Sequence, residues 1–209
     1  TYTFDADSWT IPSGELNATA AIKIDLNKIE ELGSLYDDYV LPLRITSSTG
    51  EPMGQNKYTK VLAHIGFKND YSGTYSGKGI ITQQGTTYTT EITSTQLYAI
   101  NNDICYMFVG EKTRANTPDY LNYVVEIKRD EWGGITLSSE VGSLEFKSYN
   151  SKLSRKYTYN YNDQRYYTEI TTVELAYEYL DKTQSEDLRM TFEGSFSMSR
   201  DVLRVEYPN

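Results

Sequence analysis

The stretch KYTYNYNDQRYYTEI, residues 156–170, sets Tyr157, Tyr159, Tyr161, Tyr166 and Tyr167 beside amide, carboxylate and guanidinium groups. Such a mixture suits a ligand with apolar faces and a polar rim. A pyranose shows C–H groups on its faces and hydroxyls around its edge, and tyrosine offers an apolar ring with a polar tip. Side chains alternate along a strand, so Tyr157, Tyr159 and Tyr161 would share one face ahead of an Asn-Asp turn. The candidate ligand-binding residues are Tyr159, Tyr161, Asn162, Asp163 and Arg165, with Trp132 in KRDEWGGI as a second aromatic surface. The competing reading is packing, because tyrosine is a strong strand former and cross-strand aromatic pairs stabilise sheets by roughly 0.2 to 1 kcal/mol each.

Other chemistries find less support. Glycoside hydrolysis needs two carboxylates held about 5 to 10 Å apart. Glu30 with Glu31 and Asp37 with Asp38 read as solvated surface, Glu174 and Glu178 as the wet face of a strand, and Asp130 and Glu131 as a turn. No catalytic residue is assigned. Cys105, in NDICYMFVG, and His64, in VLAHIGF, lack the third group that would orient a nucleophilic pair, and Cys105 reads as a buried spectator. Transition metals favour histidine and cysteine, and the chain has one of each. Asn160, Asn162 and Asp163 lack the glycine turn and terminal glutamate of a calcium loop, and turn formation accounts for them. GTYSGKG lacks the spacing of a phosphate-binding loop and leads into a strand. Neither a metal nor a cofactor is expected.

The elements that must hold the tyrosines are strands. The 209 residues, 38% hydrophobic and 13% aromatic, can bury a core and suit one or two domains. The formal charge of -9 opposes binding to nucleic acid or to anionic membrane surfaces and leaves neutral or cationic partners. Thr, Tyr, Val and Ile alternate with polar residues, and Gly, Asn and Asp mark turns almost throughout. The one helical pattern is a short turn within Asp25 to Val40, where Ile29, Leu32 and Tyr36 fall at helix-like spacing and Gly33 limits the length. Pro42 demands an edge strand or an outward-facing position.

A cluster of turn residues around Asn69 to Gly77 suggests a linker at Phe67 to Tyr71, dividing a first domain over 1–67 from a second over 71–209. In the first, Trp9 heads a strand and is expected to fill the core. In the second, strands are expected near Gly73 to Thr82, Thr86 to Thr93, Gln96 to Ile100 and Ile104 to Val109, and on through Arg165 to Tyr179 and Leu188 to Ser199. Val173, Leu175, Tyr177 and Tyr179 alternate with polar partners, and so do Met190, Phe192, Phe196 and Met198. Eight or more such strands joined by short turns are best closed into an antiparallel barrel, which removes aggregation-prone edges.

IPSGELNATAAIKIDL, followed by YVLPLRITSSTG and KYTKVLAHI, resembles the later half of the N-terminal β-sandwich module of Bacteroidetes surface lipoproteins. The residues after YSGTYSGKG resemble the C-terminal domain that often accompanies it. The resemblance implies an all-β protein, with a partial immunoglobulin-like sandwich followed by a lipocalin-like antiparallel barrel. It also implies a glycan-binding role at the outer membrane, beside glycan-import proteins; the scattered acids add the expectation that binding is non-catalytic, and the protein is expected to be monomeric. The family module carries further strands before WTIPSGE and a lipidated cysteine near its mature N-terminus. The resemblance therefore implies a partial first domain and a longer, lipid-anchored precursor. Two alternatives stay open: a structural or adhesion module, and a carrier of an apolar small molecule, which would need a hollow barrel.

Overall fold

The computed structural model describes residues 2–25, 28, 36, 39–49, 59–130, 134–183 and 188–203. The chain forms two compact units, 1–64 and 65–209. In the first, β1 (Tyr2–Phe4) pairs antiparallel with β2 (Ile22–Ile24), and β3 (Tyr39–Arg44) pairs with β4 (Lys60–Ile65). Among the described residues β3 pairs with β4 alone, which leaves room for Pro42, since it cannot donate to a second ladder.

Trp9 differs from expectation. It does not head a strand, because Pro12 and Gly14, with φ of 90°, turn the chain directly after it and Glu15 N–H closes on Pro12 O at 3.0 Å. Nor is it core. It is 39% exposed, donates from Nε1 to Asp5 Oδ1 at 3.0 Å, and lies on an open apolar cleft with Phe4, Ile22, Ile45 and Val61. Among the described residues this unit shows the two ladders. Most of the helical pattern expected within Asp25 to Val40 lies outside the described residues.

The second unit is one antiparallel sheet of nine strands: β5 (Gly73–Gln83), β6 (Thr89–Ala99), β7 (Ile104–Phe108), β8 (Val124–Arg129), β9 (Ile135–Ser138), β10 (Leu144–Ser148), β11 (Lys152–Tyr159), β12 (Tyr166–Asp181) and β13 (Leu188–Leu203). Their order is β10-β12-β13-β5-β6-β7-β8-β9, and β11 pairs with β12 as β10 does. A bridge between Gly134 and Lys152 brings the β9 edge back to β11, so the sheet is a nearly closed barrel. The two segments expected at Thr86 to Thr93 and Gln96 to Ile100 are one strand, β6, because Ser94 and Thr95 between them stay in the ladder, opposite Ser76 and Tyr75 of β5.

β10 and β11 occupy successive lengths of the long β12, pairing with Tyr177–Asp181 and with Tyr167–Glu174 respectively. Ser151 mends the join. Its hydroxyl accepts from Ala176 N–H at 3.0 Å and donates to Ala176 O at 3.3 Å, while Tyr149 N–H donates to the same oxygen at 2.9 Å.

The interior is filled. Tyr75, Leu97, Met107, Val125, Val173, Tyr177 and Phe196 are fully buried. Phe192 stacks on Tyr177 at 4.8 Å and on Phe196 at 6.1 Å. The rings fit because Gly79 and Gly194 face them: a methyl at either would come within 2.6 Å of a phenylalanine ring carbon. A space of about 10 Å³ remains between residues such as Tyr71, Leu97, Cys105 and Leu153, against the roughly 300 Å³ or more of a ligand cavity. Cys105 is 3% exposed and burial pushes its thiol up, away from a nucleophilic thiolate.

Residues expected in the linker are part of the barrel. Asn69 Oδ1 accepts from Tyr71 N–H at 2.9 Å and Ser72 N–H at 2.8 Å, and its Nδ2 donates to Asn101 O at 2.6 Å. This Asx turn drives Tyr71, 6% exposed, into the base of the barrel, between β5 and the β6–β7 turn.

Candidate functional site

β13 pairs with β5 only from Met190 to Ser197, whereas it follows β12 as far as Leu203. β11, β12 and β13 therefore run on past β5 as a three-stranded extension. Directly opposed residues of antiparallel strands share a face, so the register writes out the inner face row by row. Leu153, Val173 and Phe196 continue the core, followed outward by Arg155, Thr171 and Met198, then Tyr157, Glu169 and Arg200, then Tyr159, Tyr167 and Val202. The core's alternation thus passes without a break into charged residues and then into tyrosines.

The charged rows are joined. Glu169 is 1% exposed, and its carboxylate accepts from Arg200 Nε at 3.0 Å, Arg200 Nη2 at 3.3 Å and Thr171 Oγ1 at 3.2 Å, with Arg155 Nε at 3.7 Å. Asp70 closes the cluster from the segment before β5. Its Oδ2 lies 3.4 Å from both Nη atoms of Arg155 and its Oδ1 lies 3.3 Å from Arg200 Nη2. Burial pushes the Asp70 carboxyl up, but Arg155 and Arg200 outweigh it and hold the group below the usual carboxylate range. Beneath them the Tyr71 ring meets the Arg155 guanidinium at 4.5 Å and that of Arg129 at 4.8 Å, and Arg129 also donates to the Tyr71 hydroxyl.

Of the residues chosen from sequence, Tyr159 and Tyr161 come together at the tip in a T-shaped contact with centroids 5.1 Å apart, and Tyr167 stands 6.3 Å from Tyr159. Tyr161 is 87% exposed and Tyr159 37%. Asp163 and Arg165 bind each other, Arg165 Nη2 donating to Asp163 Oδ2 at 2.6 Å. Asn160 accepts from the Asn162 and Asp163 N–H groups and donates to Asp201 at 3.0 Å. These polar groups lock the turn, while exposed Asn162 makes its hydrogen bond through the backbone. Trp132 lies outside the described residues.

The sequence reading missed Asp70, Arg155, Glu169 and Arg200. A signal was present: Glu169 and Arg200 occupy the same alternation as Val173, Tyr177, Phe192 and Phe196, positions where an unpaired charge would be costly.

The turn has its own pH signature. Bonds from the Arg165 side chain and N–H pull the Asp163 carboxyl down to about 2. A depressed carboxyl stabilises the folded turn fully above the unfolded value of about 3.9 and loses that contribution as pH falls through the folded value. A carbon-13 carboxyl titration is expected to place the Asp163 midpoint at about 2. An ordinary carboxylate midpoint would show that the pair does not form in solution.

Two other clefts lie beside Glu111 and Lys112, of about 300 Å³ along β6 and about 270 Å³ near Tyr88 and Tyr179. The first offers Tyr98, which already stacks on Tyr106 at 4.9 Å and holds the Arg114 guanidinium at 5.0 Å. In the second, the Asp181 carboxylate is engaged by Tyr123 and Thr183.

Residues 59–197 match a family model described as a C-terminal domain, and residues 1–52 match one described as an N-terminal domain. No curated protein matches the chain. Among solved structures, a Bacteroides ovatus protein of unknown function is 19% identical with a TM-score of 0.78, covering 99% of this chain and 70% of its own. A second B. ovatus protein of unknown function is 17% identical with a TM-score of 0.67, covering 81% and 60%. An auxiliary nutrient binding protein from Bacteroides thetaiotaomicron is 18% identical with a TM-score of 0.64, covering 78% and 58%. This chain spans less than two thirds of the latter two proteins, and at these identities the likeness is one of fold. With the C-terminal match alone covering most of its length, the chain belongs to this two-domain Bacteroidetes family.

Proposed function

We propose that this chain is a non-catalytic glycan-binding protein whose ligand lies on the inner face of the β11–β12–β13 extension. The observation that carries the proposal is the outer row of Tyr159 and Tyr167, capped by the 87% exposed Tyr161 and lying next to Tyr157, Glu169 and Arg200. Aromatic rings there meet the C–H faces of a sugar, while phenol and guanidinium groups reach its hydroxyls. The filled barrel favours a surface site over an enclosed one. The nutrient-binding description of the B. thetaiotaomicron relative is in keeping with this role. So is a lipid-anchored, monomeric protein at the outer membrane, delivering oligosaccharides to import proteins.

The local carboxylates favour binding without turnover. A glycosidase needs a proton donor with a raised pKa. Asp70 is held low by two guanidinium groups, and Glu169 is enclosed.

Calorimetric titration against plant, fungal and host glycans tests the proposal. Tyr161→Ala is expected to weaken binding by about 1 to 2 kcal/mol, the scale of a lost aromatic contact, with an unchanged melting temperature because the side chain is exposed. A glycan whose affinity ignores both Tyr159→Ala and Tyr161→Ala would remove this face from the function. Sustained release of reducing ends would overturn the non-catalytic assignment.

A further inference from the structure

We infer that the glycan taken by this face carries a carboxylate, as a uronic acid does, and that Asp70 occupies the seat of that carboxylate until the ligand arrives. The inference rests on the glycan-binding reading and names its substrate class. Charge-assisted hydrogen bonds between guanidinium and carboxylate normally close to about 2.7 to 2.9 Å. Glu169 approaches this, taking Arg200 Nε at 3.0 Å, whereas every bond to Asp70 is 3.3 or 3.4 Å. The Asp70 side chain is 59% exposed, and among the described residues its carboxylate has no partners besides these two arginines. Arg200 is 37% exposed, and its Nη1 makes no hydrogen bond among the described residues. Two guanidinium edges thus converge on a loosely held internal carboxylate, and the planar fork of arginine matches a carboxylate better than a hydroxyl.

The spacing fits a sugar acid. Successive same-face rows of a strand lie about 6.8 Å apart, twice the rise per residue. A pyranose resting on the Tyr159–Tyr167 row would therefore hold its ring carboxylate toward the row of Tyr157 and Arg200. Charge balances as well: Arg155 and Arg200 match Glu169 and Asp70, so swinging Asp70 into solvent leaves one positive charge for the ligand to neutralise. The net charge of -9 gives no long-range attraction to an acidic sugar, so the preference arises at contact.

The test uses the whole chain and uronate oligosaccharides of the galacturonate, glucuronate, mannuronate and guluronate series, each paired with its methyl ester. Esterification removes the charge and keeps the ring. In at least one pair the acid is expected to bind about tenfold more tightly, the worth of one charge-assisted contact. Asp70→Asn should raise affinity for the acid severalfold, while Arg200→Gln should erase the difference between acid and ester. Equal affinity for acid and ester in every pair, in a protein that still binds a neutral glycan through Tyr161, would overturn this inference and leave the glycan-binding reading standing. Absence of binding to any glycan would overturn both. An Asp70→Asn protein that binds the acid less well would show Asp70 to be a structural ion. If Arg200→Gln fails to fold, the exposed Asp70→Asn substitution decides the matter.

Discussion

Glu169→Ala is expected to lower the unfolding free energy of the barrel by about 3 to 5 kcal/mol, the range for removing one partner from a buried ion cluster. Glu169 is 1% exposed and binds both arginines, so its loss leaves Arg155 and Arg200 turned toward one another with Asp70, at the longer distances, as their remaining carboxylate. Domain stabilities run to about 5 to 15 kcal/mol, so the shift should be plain in a urea melt. Replacing Arg155, Glu169 and Arg200 together by Met, Leu and Met should cost far less, because no charge is then stranded. A loss of under about 1 kcal/mol for the single variant would mean that water reaches the cluster and that Glu169 is not its anchor.

The second large effect is expected at Gly77. β5 carries a bulge between Ser76 and Gly79, and there the strand comes so close to β13 that a methyl on Gly77 would lie 2.1 Å from Ser195 O and 2.6 Å from Phe196 Cα. Both obstacles are backbone, which cannot rotate aside as a side chain could. Gly77→Ala should destabilise the barrel by about 3 kcal/mol or more, through forced separation of the β5–β13 ladder. Gly142→Ala is the control, since nothing lies within 4 Å of its added methyl, and a change within about 0.5 kcal/mol is expected. Coincident urea midpoints for the two variants would show that the strands yield without cost.

Much of the barrel was legible because alternation reports burial. Val173 to Tyr179 and Met190 to Met198 were read as one-sided strands, and both are. The exposed tyrosines of the tip followed from the same rule together with the turn chemistry of Asn160 and Asp163. Partner choice was not legible. No local pattern says that β11 and β10 divide the length of β12, and that division aligns Arg155, Glu169 and Arg200 on one surface. Asp70 escaped notice because turn-forming composition around Asn69 looks the same whether the segment is a free linker or, as here, is bound to the β6–β7 turn. Trp9 misled because a large aromatic before a proline turn carries no sign of which side will be covered.

The join at Ser151 bears on how this protein can diverge. A single hydroxyl meets the amide and the carbonyl of Ala176 at the place where one short strand gives way to the next. An insertion or deletion in the hairpin beyond it can be absorbed at that seam, leaving the alignment of β10 with β12 untouched. The tip around Tyr159 and Tyr161 is therefore free to drift in length and composition, while the aromatic interior, built largely from the far half of β12 with β13 and β5, stays under its own separate constraint. A lineage holding this arrangement can remodel that tip without renegotiating how it folds.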